Sequence, residues 1–340
     1  MTRFTVVGIC VACLLVGGCI PGTTPRPTVP VLPPRQIAGS TLALREYWRI
    51  PASSRGSRRY PSLAVSGGRV IFIQWNIGAY EGWVQVLSAQ EGRVLWETSR
   101  GSFTSLTADD ERIYLLSTSD SVVHCYALGD GRHLWTTRIA PHRIYNIYSY
   151  EGILYIHNVD DSEIRYLDAR TGVELQRVVL KTPEGFPLLG RFPGLDLYRT
   201  PRTLRAVDTA TQQVLWETEV PLIWDTDSRP FLAGDVFLVG DAETITAIEV
   251  ESGRIQWTNW DDREEKWLAS NFVVMDGFVY ALNYGNRLVQ LDIETGQEMG
   301  HIRFAPPEVN PSEYRYEVAA DNGMVFISFN DSRELIALGP

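Results

Sequence analysis

The feature that most constrains the fold is an internal repeat of about 40 residues. Four segments share one frame: GRVLWET (92–98), GRHLWTT (131–137), QQVLWET (212–218) and GRIQWTN (253–259). Weaker copies are GVELQRV (172–178) and GQEMGHI (296–302). The tryptophan position of the frame falls at residues 96, 135, 176, 216, 257 and 300, so the copies follow one another at nearly constant spacing. A fixed period of this length is typical of solenoids and propellers.

Each repeat divides into short apolar segments separated by polar turns. In the second repeat, SLTAD, RIYLLST, VVHCYAL and RHLWTTRI are separated by DDE, SDS and GDG. Apolar runs rich in β-branched and aromatic residues, bounded by Gly, Asp and Ser, predict antiparallel strands joined by tight turns. Four such strands per repeat predict a propeller blade.

The two ends of the chain complete one further blade. Residues 322–340 supply inner strands but no tryptophan-bearing outer strand, whereas ALREYWRIP (43–51) is such an outer strand without inner partners. Joining them removes two exposed sheet edges. We therefore predict an all-β fold: a seven-bladed β-propeller of four-stranded antiparallel blades, closed by an N-terminal strand on the last blade. Six or eight blades are the alternatives if a weak repeat, the fourth or the seventh, is misframed.

Several segments resemble the A-x-D-x-x-T-G-x-x-x-W pattern of pyrroloquinoline-quinone (PQQ)-like propeller repeats. They include AVDTATQQVLW (206–216), AIEVESGRIQW (247–257), YLDARTGVELQ (166–176) and QLDIETGQEMG (290–300), and the resemblance covers most of residues 42–340. In that family the tryptophan packs between adjacent blades, and the Asp/Thr/Gly turn joins the two outer strands. The resemblance implies the following structural blade tryptophans: Trp48, Trp96, Trp135, Trp216 and Trp257.

The family has two branches that differ in function. Quinoprotein dehydrogenases are larger, use eight blades, bind PQQ with calcium and often carry a vicinal disulfide, whereas this chain has no adjacent cysteine pair and no clustered oxygen ligands of the kind calcium needs. The non-catalytic branch includes the propeller lipoprotein of the outer-membrane β-barrel assembly machinery, which this chain resembles in architecture. The resemblance thus implies no cofactor, no metal and no enzymatic activity.

The N-terminus is predicted to be a lipoprotein signal peptide. Arg3 precedes an almost unbroken apolar run, Phe4–Val16. The run is shorter than the roughly 20 residues of a membrane span but fits the apolar region of a signal peptide. It ends in LVGGC (15–19), which resembles the lipobox of bacterial lipoproteins. We predict that residues 1–18 are removed and that Cys19 carries diacylglycerol and palmitate.

Residues 19–39 are predicted to be the lipidated cysteine and a proline-rich linker, and residues 40–340 the propeller. Six prolines between Ile20 and Gln36 predict a semi-rigid spacer with a rise of roughly 3.1 Å per residue.

We expect the chain to lie outside the cytoplasm on the bacterial cell envelope. The anchor would sit in the outer leaflet of the plasma membrane, or in an outer membrane where one is present. An aspartate directly after the lipidated cysteine often retains lipoproteins at the inner membrane. Residue 20 is isoleucine, so the sequence favours an outer membrane.

Charge and residue spacing argue against several classes of function. A formal net charge of -10 excludes broad binding to nucleic acid, which requires a basic surface. The five histidines have no metal-ligand spacing, and no nucleophile-elbow motif is present. Cys125 is the one cysteine in the predicted propeller, so we expect a buried apolar side chain and no internal disulfide.

Long aromatic connections fall on one predicted face of the ring, whereas the opposite face has short turns. Tryptophan and tyrosine commonly anchor protein interfaces, although these side chains have the alternative of packing into the blades or the central channel. The candidate interaction residues are Trp75, Tyr80, Trp83, Tyr145, Trp224, Trp260 and Trp267. We predict a membrane-anchored scaffold that binds a protein or peptide partner, either as a monomer or in a larger envelope complex. The alternative is a propeller that binds a small molecule or glycan, including a PQQ-dependent type of enzyme.

Overall fold

The structure is a computed structural model that describes most of the predicted propeller. The described residues are 35–37, 39–50, 63–76, 81–117, 119–139, 145–150, 152–158, 163–179, 188–192, 194–199, 203–220, 230–240, 244–260, 271–283, 286–304, 316–329 and 334–340. Regular structure in these ranges is entirely β-strand. The predicted signal peptide and Cys19 lie outside the described residues.

Seven antiparallel sheets form the seven blades, and in each blade the strands follow one another from the inside to the outside of the ring. Blades 1 and 2 comprise β3 (Leu63–Ser66), β4 (Arg69–Asn76), β5 (Glu81–Ser88), β6 (Val94–Glu97), β7 (Phe103–Ala108), β8 (Arg112–Ser117), β9 (Val122–Ala127) and β10 (His133–Arg138). Blades 3 and 4 comprise β11 (Tyr145–Tyr150), β12 (Ile153–Asn158), β13 (Glu163–Asp168), β14 (Glu174–Val179), β15 (Leu188–Phe192), β16 (Leu195–Arg199), β17 (Thr203–Asp208) and β18 (Val214–Glu219). Blades 5 and 6 comprise β19 (Phe231–Ala233), β20 (Val236–Gly240), β21 (Thr244–Glu249), β22 (Ile255–Trp260), β23 (Phe272–Met275), β24 (Phe278–Leu282), β25 (Arg287–Asp292) and β26 (Glu298–Arg303).

Blade 7 joins the two ends of the chain and closes the ring. Its inner strands are β27 (Tyr316–Asp321), β28 (Met324–Phe329) and β29 (Glu334–Gly339), and its outer strand is β2 (Arg45–Ile50). β2 pairs with β29 so that Trp48 lies opposite Ala337. The predicted seven-bladed fold with N-terminal closure is therefore confirmed. A further strand, β1 (Arg35–Gln36), pairs with the outer edge of β2, so pairing begins within the segment predicted to be linker.

The hydrophobic core consists of layers between neighbouring blades. Buried apolar residues form seven clusters, one at each junction. The cluster between blades 2 and 3, for example, contains Tyr114, Cys125, Ile147 and Leu154, all fully buried. Because strand residues alternate between the two sheet faces, each blade contributes to both of its neighbouring layers. The repeat period thus becomes a ring of equivalent apolar layers.

Outer-strand tryptophans link adjacent blades by hydrogen bonds. Each indole Nε1–H donates to a backbone carbonyl of the following blade, an arrangement that we call an indole bridge. The bridges are Trp48 to Ala89 (2.7 Å), Trp96 to Leu128 (2.9 Å), Trp135 to Ala169 (3.3 Å), Trp216 to Val250 (2.7 Å) and Trp257 to Ile293 (2.8 Å). A buried indole needs such an acceptor, so each bridge fixes the position of the ring as well as burying it.

A glycine in the following blade makes room for each bridge. Gly131 has a φ of 73°, and a Cβ built on it would lie 2.6 Å from Cε3 of Trp96. The left-handed backbone conformation and the close approach both require glycine here. The glycine of the repeat and the tryptophan of the preceding repeat therefore form one structural unit across the junction.

We call the space that the indole fills at each tryptophan position the slot. In blade 6, where residue 300 is glycine, the slot is filled from elsewhere in the chain. Gly300 occupies the tryptophan position in blade 6, and Leu42, which is 7% exposed, packs there instead. A Cβ on Gly300 would lie 2.5 Å from Cδ2 of Leu42. The Thr41 amide donates to the His301 carbonyl at 2.9 Å, and the His301 amide donates to Thr41 Oγ1 at 2.8 Å. The N-terminal segment thus binds blade 6 between its two strands in blade 7, β1 and β2.

Candidate interaction face

Strand direction assigns every connection to one of two faces of the ring. In each blade the first and third strands begin, and the second and fourth end, at the same face, which we call the loop face. It carries the connections between blades, and the longest of these span 51–62 and 304–315. The opposite face, the turn face, carries short inner turns, such as 67–68 and 109–111, and outer turns of nearly constant length, such as 128–132 and 250–254. Variable length is therefore confined to the loop face.

The structure places four of the seven candidate aromatic residues on strand ends at the loop face. Trp75 lies near the end of β4, Trp83 near the start of β5, Tyr145 at the start of β11 and Trp260 at the end of β22. The sequence analysis assigned Trp75 and Trp83 to a loop, but they belong to the β-ladder, since Trp75 pairs with Gly82 and Gln74 pairs with Trp83. The remaining candidates lie outside the described residues; they are Tyr80, Trp224 and Trp267.

Trp83 forms a cationic–aromatic unit with Arg100 at the rim of blade 1. The guanidinium carbon of Arg100 lies 5.9 Å from the Trp83 ring centroid, within the range of a cation–π interaction. Two backbone hydrogen bonds between Gly82 and Gly101, of 2.6 and 2.8 Å, hold the two side chains side by side. Trp83 is half-buried, so part of the ring faces solvent. Sequence analysis identified Trp83 but missed Arg100, which lies beyond the next strand of the chain.

Between the indole bridges and the loop face, the outer strands carry a ring of polar side chains. The residue that follows the tryptophan position is hydrophilic in each blade and lies opposite a residue of the third strand. These pairs, which we call polar rungs, are Gln85–Glu97, His124–Thr136, Arg165–Arg177, Arg205–Glu217, Thr246–Thr258, Val289–His301 and Ile336–Arg49. Several are hydrogen-bonded, including Gln85 Nε2 to Glu97 at 3.1 Å and Arg205 Nε to Glu217 at 3.1 Å. In blades 1, 2, 4 and 5 the two members of the rung bond to each other and so tie the outer two strands together below the loops.

The rung of blade 3 contains a buried ion pair at the edge of the loop face. Glu163, which is 3% exposed, accepts from Arg165 Nε at 2.8 Å and from Arg177 Nη2 at 2.5 Å. Burial alone would raise the pKa of Glu163, but the hydrogen bonds and charges of the two arginines hold this pKa below its usual value. Glu163 is therefore ionised at neutral pH and fixes both guanidinium groups.

Blades 6 and 7 have comparable networks. In blade 6, Glu298 Oε1 accepts from Arg287 Nη2 at 2.5 Å and lies 3.1 Å from Nδ1 of His301. In blade 7, Arg49 bridges Glu46 and Glu334 at 2.9 and 2.8 Å. Partly buried pairs of this kind contribute more to geometric specificity than to net stability. They run along the outer strands from Glu298 and Glu46, near the turn face, to Arg287 and Glu334 at the loop face, and so give the loop face a polar base.

Potential reactive and metal-binding groups have structural surroundings. Burial raises the pKa of the Cys125 thiol to about 12, so it is protonated at neutral pH. His124 Nδ1 and His133 Nε2 both lie within 3.0 Å of Thr136 Oγ1. Across the described ranges, no group of three or more His, Cys, Asp or Glu side chains is arranged to hold a metal ion. Within the same ranges, no helix has the length and apolarity that a bilayer crossing requires.

Fold and face together define a class of protein: a seven-bladed propeller of PQQ-like repeats with one face of long connections on a rigid polar base. Comparison with known proteins gives the family. The family profile described as "Outer membrane protein assembly factor BamB" matches residues 45–137 and 160–338. The chain therefore belongs to the BamB family of PQQ-like propellers, and the predicted family is confirmed.

Individual relatives are distant. The chain is 22% identical to the outer membrane protein assembly factor BamB of Yersinia pestis, in a match that covers 64% of this chain and 60% of that protein. It thus spans less than two thirds of the length of that relative. The crystal structure of BamB from Moraxella catarrhalis superposes with a TM-score of 0.55 at 12% identity, covering 87% of this chain and 100% of that one. This second likeness supports the propeller fold alone.

Proposed function

We propose that this chain is a lipid-anchored, extracytoplasmic scaffold that binds a protein partner through its loop face. The observation that carries the proposal is the difference between the two faces. The loop face carries long connections between blades, such as 51–62 and 304–315, whereas the inner turns of the turn face are as short as 67–68. Binding residues are commonly found on loops that a rigid scaffold positions.

The spread of the aromatic residues favours a large partner. Trp75 and Trp83 belong to blade 1, Tyr145 to blade 3 and Trp260 to blade 5, so the candidate anchors are distributed around the ring. A small molecule is enclosed by one concave pocket, whereas a protein interface covers about 800 Å² on each partner. Anchors on separate blades suit the second geometry. The Trp83–Arg100 unit combines two residue types that are enriched at interface hot spots.

The names of the relatives support a role in envelope assembly. The family profile and the Yersinia pestis relative are both described as an outer membrane protein assembly factor. We infer that this chain is likewise a non-enzymatic component of an envelope complex. The predicted Cys19 anchor and proline-rich spacer would hold the ring close to a membrane surface.

The proposed partner is tested by crosslinking and affinity purification from membranes. The variant W224A/W260A/W267A removes three of the candidate aromatic anchors. A matched control, R93A/R132A/R254A, removes three exposed arginines from the outer turns of the turn face. We expect the tryptophan variant to lose the envelope protein that the wild type and the control recover. Equal recovery by all three proteins, at equal melting temperatures, would contradict a binding role for this face.

Anchoring is tested separately from partner binding. Cells that express the wild type or C19S are grown with an alkyne analogue of palmitate and then fractionated. We expect the wild type to be labelled and membrane-bound, and C19S to be unlabelled and released into the soluble extracytoplasmic fraction. Labelling of C19S would show that the lipid is attached elsewhere.

A further inference from the structure

The junction between blades 3 and 4 lacks the tryptophan and the turn glycine of an indole bridge. Gln176 occupies the tryptophan position of blade 3 and is exposed. The facing turn of blade 4 has Gln212, with a φ of 58°, where five other outer turns have glycine. Two residues after the tryptophan position, Thr137 and Thr218 bond to the carbonyl of the facing glycine at 2.6 and 2.5 Å, but blade 3 has Val178 there.

The inner part of the same junction is filled by tyrosine. Tyr166, which is 6% exposed, lies opposite Gln176. Its ring centroid is 5.2 Å from that of Tyr155, and both pack in a cluster with Tyr198. At the bridged junctions the residue opposite the tryptophan is smaller: Val86, Cys125, Ala206, Ala247 and Ala337. At this junction the aromatic side chains lie nearer the centre of the ring. The space left by the missing indole is therefore confined to the outer rim.

An apolar side chain is exposed in this opening. Val214 begins the outer strand of blade 4 and pairs with Val207, which belongs to the blade 3–4 cluster. Val214 is 54% exposed. The equivalent residue Ile255, at the junction that contains Trp216, is 36% exposed, and Val94 packs against the cluster that contains Trp48. The missing indole therefore leaves a slot with an apolar wall at Val214, flanked by the uncharged side chains of Gln176 and Gln212. Gln212 Nε2 donates at 3.0 Å to the Thr209 carbonyl, which corresponds to the acceptor of an indole bridge.

The other junction without a slot tryptophan shows what fills such a slot. At blade 6, a short segment with a turn at Gly39 and bends at Leu42 and Ala43 brings Leu42 against Gly300, and Thr41 exchanges backbone and side-chain hydrogen bonds with His301. This segment carries no charge from Ile37 to Leu44. Through Thr41 it bonds to His301 of the outer strand, and it inserts one aliphatic side chain.

We propose that the slot between blades 3 and 4 is a docking groove for a short, uncharged segment of a partner protein that inserts a leucine-sized side chain beside Gln176 and Val214. The slot lies towards the turn-face end of the outer rim, since Gln176 is the third residue of β14 and outer strands begin at that face. It is therefore separate from the loop face and goes beyond the scaffold function proposed above.

The binding test uses fluorescence polarisation with the full chain and a labelled, end-capped peptide, IAGSTLAL, which copies residues 37–44. Its own slot at blade 6 is already filled within the chain, so saturable binding reports another site. We expect saturable binding, and an affinity at least tenfold weaker when alanine replaces the leucine that corresponds to Leu42. Absence of saturable binding to the wild type would overturn the proposal.

Variants locate the peptide. Q176W/Q212G supplies the indole and the turn glycine that this junction lacks and should weaken peptide binding at least tenfold. Q256W places a tryptophan at an exposed glutamine of blade 5, beside the occupied Trp257 slot, and should leave the affinity within twofold. V214R blocks the slot without rebuilding it and should also weaken binding tenfold. Unchanged affinity in both Q176W/Q212G and V214R would overturn the groove. The loop-face variant W224A/W260A/W267A should bind the peptide normally, which separates this test from that of the proposed function.

Discussion

At the scale of single residues, slot tryptophans pack against turn glycines of the next blade. A Cβ on Gly253 would lie 2.5 Å from Cδ2 of Trp216. Trp216 is held in place by its hydrogen bond to the Val250 carbonyl at 2.7 Å, three residues before that glycine. Because the ring and the turn share this bond, neither can move without weakening it.

The substitution Gly253→Ala should therefore lower the free energy of unfolding by about 2–4 kcal/mol, through overpacking and a left-handed alanine. Gly194→Ala is the matched control. Gly194 has a similar φ of 74°, but no atom lies within 4 Å of its added Cβ. We expect this control to lose only about 1 kcal/mol. Urea denaturation of both variants makes the comparison, and equal losses would show that contact with Trp216 is unimportant.

His124 links stability to pH. Burial, and secondarily the charge of His133, lowers the pKa of His124 below its usual value, whereas Asp120 acts in the opposite direction. The unfolded chain then binds a proton near pH 6.5 before the folded chain does. Stability is fully present above this pH and falls as the pH is lowered through it. Carboxylates with lowered pKa values, such as Glu163, contribute to the loss at lower pH.

We expect His124→Gln to flatten the decline in the free energy of unfolding between pH 7 and pH 5. Glutamine retains a hydrogen-bonding group opposite Thr136 but does not titrate. Denaturation curves of the wild type and the variant at pH 5, 6 and 7 provide the measurement. Parallel pH dependence in the two proteins would mean that His124 does not cause the decline.

At the scale of elements, the N-terminal segment is a clamp on the last two blades. β1 and β2 add to the outer edge of blade 7, and Leu42 fills the vacant slot of blade 6. Ring closure in this chain thus depends on residues 35–50 as a unit. β2 alone accounts for the fourth strand of blade 7, while the residues before it join that blade to its neighbour.

Leu42→Ala should cost about 2–4 kcal/mol in the free energy of unfolding, since it leaves a cavity at a junction without an indole. Ala43→Ser is a suitable control because Ala43 is the exposed next residue. Chemical denaturation should show a change of no more than about 0.5 kcal/mol for the control, as is usual for exposed positions. A Leu42→Ala variant as stable as the control would contradict the clamp.

Strand order and ring closure were predictable from the sequence because the repeat preserves both spacing and residue type. The filling of the Gly300 slot was not, since Thr41 and His301 are 260 residues apart and the sequence shows only that a tryptophan is missing.

The candidate site was predicted in part. Glycines around Tyr80 gave Trp75–Trp83 the pattern of a loop, but bonds between Gly82 and Gly101 extend the strand into it. The polar rungs required the strand register, which local sequence does not specify.

At the scale of the whole molecule, the ring separates two surfaces. The turn face has short, nearly uniform turns that repeat from blade to blade, and the loop face has connections that differ between blades. Apolar layers at every junction and polar rungs in the outer strands make the ring a rigid support. The proposed scaffold function requires that a partner be recognised on the loop face.

Site-specific photocrosslinking in intact cells tests this requirement most directly. A photoreactive residue is placed at three exposed strand ends of the loop face, Arg138, Glu219 and Arg303, and at three exposed positions of the turn face, Asp130, Glu251 and Glu294. We predict that one envelope protein crosslinks from loop-face positions and from none of the three turn-face positions. Crosslinks to that protein from the turn face alone, or equally from both faces, would contradict the account.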